Sequence, residues 1–251
     1  MEFLHKSVLL DEAVSALNIK PDGIYIDGTA GGAGHSLEIA KRLKGGMLYA
    51  LDRDPDAVKT ATDRLCGYNA KVIQSCFSRM DDVMQDDGVQ GVDGILLDLG
   101  VSSFQLDNAD RGFSYHKDAP LDMRMSKSGL TAADIVASYS VSELTRIFRD
   151  YGEEKFAYKI ALRIADEREK QPIVSTLQLS DIIASAVPAK ARRDGHPARK
   201  CFQAIRIAVN GELDELAAAL DKAFGLLNKD GALAIITSVS YTHLRAHETE
   251  A

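Results

Sequence analysis

With 251 residues and 45% apolar content, the chain can bury one sizeable core, or a core with an insertion. A formal charge of −7 excludes a protein that coats nucleic acid nonspecifically, so any RNA contact has to come from a local basic patch. Cys66, Cys76 and Cys201 are odd in number and lack C-x-x-C spacing, which fits reduced thiols and no metal site, and Met1 to Lys6 has no apolar core of a leader. No run approaches the roughly 18 apolar residues of a membrane span. The chain reads as cytoplasmic, with no membrane partner.

Ser7 to Leu17 predicts a short amphipathic helix, ended by Pro21, Asp22 and Gly23, that covers one end of a cofactor cleft. Ile24, Tyr25 and Ile26 then form a strand that runs into Asp27 and a glycine loop, Gly28 to Gly34, before His35 opens a helix. Glycine has no Cβ, so this loop either lets backbone N–H groups approach a nucleotide-like ligand or is an ordinary strand–turn–helix. It does not match G-x-G-x-x-G, and Asp27 at the strand end is a poor neighbour for a pyrophosphate. S-adenosylmethionine carries a sulfonium and an ammonium, so Coulomb's law favours that cofactor over NAD.

Asp52 ends a second strand, Met47 to Leu51, 25 positions after Asp27. An acid there accepts both hydroxyls of a ribose, or else it caps the helix that Pro55 starts. Lys71 to Gln74 is a third strand leading to Phe77, which either stacks on adenine or is an ordinary buried aromatic. The continuous apolar run Ile95, Leu96, Leu97 makes Gly94 to Leu99 a buried fourth strand that brings Asp98 to the same sheet edge, at the reaction centre. Strands alternating with helices predict an α/β fold with a parallel sheet.

Gly100 to Met125 is a long loop whose aromatics Phe104, Phe113 and Tyr115 either clamp a splayed base or pack on the core. From Thr131 to Pro188 the pattern is all-helical, with caps at Thr131/Asp134, Ser140/Glu143 and Ser175/Gln178. Lys190, Arg192, Arg193, His196, Arg199, Lys200 and Arg206 fall within 17 residues containing one acid, Asp194: either a solvated loop or the basic patch for RNA phosphates. Ala208 to Leu227 predicts a helix with Leu213, Leu216, Leu220, Phe224 and Leu227 inward, followed by a turn at Asn228 to Gly231 and a fifth strand, Ala232 to Thr237.

Several of these pieces together resemble the bacterial 16S ribosomal RNA cytosine-1402 N4-methyltransferases. The resemblance rests on Asp27-Gly-Thr-Ala-Gly-Gly-Ala-Gly-His-Ser36, Asp52-Arg-Asp-Pro55, Leu97-Asp-Leu-Gly-Val-Ser-Ser103, Arg111-Gly-Phe-Ser114, Pro120-Leu-Asp-Met-Arg-Met125, His196-Pro-Ala198 and Phe202-Gln-Ala204. It implies a class I methyltransferase with a Rossmann-like parallel sheet and an inserted all-helical subdomain, the core being residues 1–106 and 207–237 and the insert 107–206. It implies S-adenosylmethionine as donor, 16S ribosomal RNA in the small subunit rather than DNA as partner, and cofactor contacts at Ala33, Gly34, His35, Asp52, Phe77, Asp98 and Gln105. Ala33 stands where glycine is frequent, Phe104 where proline is usual and Cys201 where threonine is common.

Residues 238–251 do not continue the family's pattern and read as a non-native tail on a truncated chain, which the sheet then leaves without its last strands. The reaction the resemblance implies is attack of a cytosine amine on the donor methyl, with Asp98 or Ser102 accepting from the amine. DNA amino-methyltransferases carry Asp/Asn-Pro-Pro-aromatic at this place, whereas this chain has Asp98-Leu-Gly-Val. Rival readings are a class I methyltransferase acting on a small molecule or protein, an NAD oxidoreductase, and an inactive RNA-binding form.

Overall fold

The structure, a computed structural model, describes residues 7–190 and 195–237. The tail 238–251, and Arg192, Arg193 and Asp194 of the basic stretch, lie outside the described residues.

Five parallel strands form one sheet in the order β3-β2-β1-β4-β5: β1 Ile24–Asp27, β2 Met47–Asp52, β3 Ala70–Gln74, β4 Val92–Asp98 and β5 Leu227–Ile236. Period-2 alternation sends Tyr25, Leu48, Ala50 and Leu96 to one face. There they pack with Ala13, Val14 and Leu17 of the α1 segment (Leu10–Ala16), with α2 (Gly34–Ala40) and with α3 (Pro55–Arg64). Ile26, Tyr49, Leu51, Ile95 and Leu97 point the other way, onto Met80 and Met84 of α4 (Met80–Asp86) and onto Leu216, Ala219 and Ala223 of α11 (Glu212–Leu226). Helices on both faces of a parallel sheet make a Rossmann-like α/β unit.

Three expectations for this unit need correction. Phe224 is 70% exposed and leaves the expected inward stripe, whereas Leu216, Leu220 and Leu227 pack into the core as expected, joined by Ala219 and Ala223. The helix begins at Glu212 rather than Ala208, because Gly211 (φ 59°) ends the preceding helix in the left-handed region. The turn read at Asn228 to Gly231 is a bulge: Val92 pairs with Leu227 and Gly94 with Ala232, and Asp230 within it has φ 66°.

The described residues up to Ser102 and from Leu213 form this unit, and Ser103 to Glu212 form a second. The division lies four residues before the expected 106/107 and six after 206/207. Its C-terminal side follows from α10, one unbroken helix over Ala198–Asn210. The second unit comprises α5 (Ser103–Asp107), α6 (Ala132–Ser138), α7 (Val141–Asp150), α8 (Ala157–Arg168), α9 (Thr176–Ala186) and α10, which packs on α6, α7 and α9. All three expected caps are reciprocal capping boxes at the starts of α6, α7 and α9.

The long loop in this unit is bolted down rather than splayed. The buried Arg111 guanidinium donates to the carbonyls of Arg124 (2.9 Å) and Met125 (3.1 Å), and the Asn210 amide bridges Met125 N–H (2.9 Å) and the Met123 carbonyl (2.8 Å). Phe113 is 6% exposed under Arg111, so it belongs to this core and is not a base clamp. No helix among the described residues is long and apolar enough to cross a membrane.

Candidate active site

The register fixes the geometry of the three carboxylates. Asp27 ends β1 opposite Ala50 on one side and Leu96 on the other, so Asp52 and Asp98 each reach two residues further along the flanking strands. Two residues of strand are about 7 Å, and a step of two keeps the same face. Asp27 is therefore recessed between two acids that stand forward at the carboxyl edge of the sheet.

Asp27 is 1% exposed, and both its oxygens are engaged: Oδ1 accepts from Thr29 N–H (3.1 Å) and Oδ2 from the Ser36 hydroxyl (2.5 Å). Burial raises its pKa, opposed by these donors. The carboxylate thus organises the loop from beneath, with both oxygens taken by donors of the loop and of α2.

The loop itself runs over the strand ends. Gly28 N–H donates to Leu96 O and Ala30 N–H to Leu51 O, both 2.9 Å, so it is stitched to both neighbouring strands. A side chain on Gly28 would stand 2.5 Å from Leu97 Cδ2 and 2.8 Å from Phe77 Cβ, which explains the glycine. The Arg64 guanidinium donates to Gly32 O and braces the outer turn. Ala33 holds φ 57°, a left-handed conformation that gives a physical reason for glycine being frequent there.

Asp52 is not the cap of α3, since Asp54 fills that role by accepting from Asp56 N–H (3.0 Å) behind Pro55. Asp52 accepts instead from Gly31 N–H (2.8 Å) and Asp54 N–H (2.8 Å), one on each oxygen, which leaves each oxygen further acceptor capacity. Its pKa is pushed up to about 6, first by burial and then by the nearby Asp54 and Asp27 charges, against those two donors.

Asp98 is partly exposed at the end of β4, and its N–H donates to Thr29 Oγ1 at 2.6 Å. Its carboxylate lies 3.9 Å from His35 Nδ1, while His35 Nε2 meets the Val8 carbonyl at 3.1 Å. A carbonyl only accepts, so Nε2 carries a proton and Nδ1 is the nitrogen turned to Asp98. Burial raises the Asp98 pKa, with His35 lowering and Asp27 raising it further. Ser102 also belongs to this unit, its Cβ 3.8 Å from where a Cβ on Gly31 would stand.

Of the remaining expected residues, Gly34 and His35 open α2, and Ser7 presses so closely on Gly34 that any Cβ there would collide. Phe77 packs with the α4 and α11 face of the core and stays partly exposed. Gln105 is buried in α5, within the helical unit. Thr29 and Ser36 were missed by sequence reasoning, although two hydroxyls among glycines beside a strand-end acid were a usable signal. Arg206, counted in the basic patch, is taken up by Glu212 at 2.7 and 3.1 Å and does not face solvent as a phosphate contact would.

Curated relatives share this sequence nearly throughout. "Ribosomal RNA small subunit methyltransferase H 2" of Agathobacter rectalis is 54% identical over 243 residues, covering 94% of this chain and 77% of that one. "Ribosomal RNA small subunit methyltransferase H" of Lachnospira eligens is 52% identical over 242 residues with the same coverage, and that of Clostridium botulinum strain Loch Maree is 52% identical over 240 residues, 94% and 78%. A family model matches residues 2–244, which extends into the segment read from the sequence as a tail. With a match of that extent over this loop and these three acids, the chain belongs to the MraW methylase family.

Proposed function

We propose that the chain transfers a methyl group from S-adenosylmethionine to N4 of cytosine 1402 in the 16S ribosomal RNA of the small subunit. The observation that carries the reading is the recessed Asp27 flanked by Asp52 and Asp98 around one glycine loop, in a family whose 52–54% identical relatives are named as small-subunit ribosomal RNA methyltransferases. The reading places it in the cytoplasm, where small subunits are assembled.

The donor set fits the cofactor. Asp52 retains free acceptor positions for two ribose hydroxyls, the backbone at Ala33, Gly34 and His35 borders the loop, and three acids suit a cationic ligand. Phe77, partly exposed beyond the end of β3, would stack on the adenine. When bound, S-adenosylmethionine supplies an electrophilic methyl group on a positively charged sulfur. The residues of this chain orient the amine and exclude competing positions, and Asp98 or Ser102 accepts from the amine N–H so that its lone pair is less delocalised into the ring.

Labelled methyl supplied to small subunits lacking the modification should appear at N4 of a single cytosine. Label in a protein, in a small molecule or at another nucleotide would overturn the substrate assignment.

A pH dependence follows from Asp52. Its pKa is about 6 in the fold against roughly 3.9 for a free carboxyl, so the ionised group disfavours the ligand-free fold, and stability from this residue is gained as pH falls through 6. Cofactor binding runs the opposite way, because a protonated carboxyl accepts hydroxyl hydrogens poorly. Between about pH 7.5 and about pH 5, calorimetry should give cofactor affinity falling toward tenfold per pH unit while the Tm contribution of Asp52, taken against Asp52→Asn, rises. A flat affinity across that range would remove Asp52 from the ribose.

A further inference from the structure

We infer that Tyr115, His196 and His116 form a stacking platform for an unpaired base of the substrate RNA, with Lys117 and Arg199 beside it for the adjoining phosphates. The inference rests on the RNA reading above and adds to it a holding site in the helical unit.

Tyr115 stacks on His196 with ring centroids 4.9 Å apart and planes 19° from parallel. Phe202, buried in α10, meets Tyr115 edge-on at 5.6 Å and 75°, which anchors the column to the core. His116 leans on Tyr115 at 4.2 Å and 43°. The loop carrying both rings is held in place: Thr176 donates to the Lys117 carbonyl (2.7 Å) and accepts from Ala119 N–H (3.0 Å), and Asp118 accepts from Leu177 N–H (3.3 Å). His196 is fixed by Ala198 N–H donating to its Nδ1 at 3.2 Å, so the proton of the neutral ring sits on Nε2 as a donor.

Packing alone does not account for this arrangement. An aromatic cluster built for burial gains from apolar rings, yet here the two outer rings are exposed imidazoles, which gain little from leaving water. One face of His196 is covered by Tyr115, and His116 meets His196 edge-on at 6.4 Å and 61°, so the three rings form one cluster. Lys117 and Arg199 are exposed next to these rings in sequence, in a chain that is otherwise acidic. Exposed rings in a stack with cations alongside are the elements that hold single-stranded nucleic acid. Proteins bind flat aromatic surfaces too, but charge complementarity favours the polyanion.

The test is filter binding of the whole chain to a short single-stranded RNA of mixed sequence, and to small subunits, over a range of salt. Tyr115→Leu and His196→Gln should each weaken binding to both about tenfold, and Tyr115→Phe should stay within about twofold of the parent chain. Lys117→Gln should lower the slope of log affinity against log salt by about 0.7. Tyr158→Ala removes an exposed tyrosine of the same unit outside the stack, and should leave RNA binding unchanged. Circular dichroism and thermal unfolding show that each variant is folded.

Unchanged binding in Tyr115→Leu, failure of phenylalanine to substitute, an equal loss in Tyr158→Ala, or a parent chain that binds no RNA would each overturn the platform. A loss on small subunits with none on RNA alone would also overturn it and point to a protein surface. If Tyr115→Leu loses RNA binding while the parent chain labels no small subunits, the platform stands and the methylation reading falls. If the parent chain labels them and Tyr115→Leu does so at the same KM, only the platform falls.

Discussion

Asp98→Ala is expected to cut methyl transfer to small ribosomal subunits about a thousandfold while cofactor affinity falls by no more than about tenfold. The exocyclic amine of cytosine must give up a proton as its nitrogen gains the methyl, and its lone pair must first be drawn out of the ring. Asp98 is the forward acid on β4 that keeps partial exposure, so its carboxylate oxygen can reach a substrate hydrogen. Its raised pKa makes it a better proton acceptor than a solvated carboxylate. With Asp98 in the proposed role the ionised form is the acceptor, so the rate should rise with pH through that pKa, and the acid limb should vanish in Asp98→Asn. Ser102→Ala, which removes a weaker acceptor beside Gly31, should cost only about tenfold. Single-turnover kinetics with labelled donor measures both. Near-normal turnover in Asp98→Ala would leave positioning by the rest of the pocket as the source of rate.

How far the sequence anticipates all this depends on the range of the interaction that decides each feature. The capping boxes at Thr131, Ser140 and Ser175 are rules over three residues, and each is found where it was read. The strands are equally legible, because a run such as Ile95, Leu96, Leu97 has one use in a parallel sheet. Features set across the chain are not. Phe113 is buried because Arg111 lies over it and Asn210 ties down the loop at Met123 and Met125, a partner 85 residues from Met125. Phe224 keeps a helical spacing that suits the core, but Leu216, Ala219 and Ala223 take the buried face of α11 and that ring is left exposed. Arg206 counts as a phosphate contact only until Glu212 is placed beside it. In the site, the three acids are visible from strand ends, whereas Thr29 owes its role to Asp98, 69 residues away.

The recessed acid makes the second strong prediction. If Asp27 acted only as a distant negative charge, Asp27→Asn and Asp27→Ala would weaken cofactor binding equally, because both remove the charge. The hydrogen bonds argue for a different order. Alanine leaves Thr29 N–H and the Ser36 hydroxyl without their acceptor in a buried place, at roughly 1–3 kcal/mol for each orphaned group, partly offset by removing a charge that burial disfavours. It also frees the loop whose Thr29 hydroxyl receives the Asp98 N–H, so both forward acids lose their reference. Asp27→Ala should therefore lower stability by about 3 kcal/mol and cofactor affinity by about a hundredfold, whereas asparagine, which keeps one acceptor, should lose about tenfold in affinity. Denaturant unfolding and calorimetry on the two variants separate the cases. Equal affinities for asparagine and alanine would return Asp27 to a purely Coulombic role, and parent-like binding in Asp27→Ala would show that the glycine loop holds its shape without it.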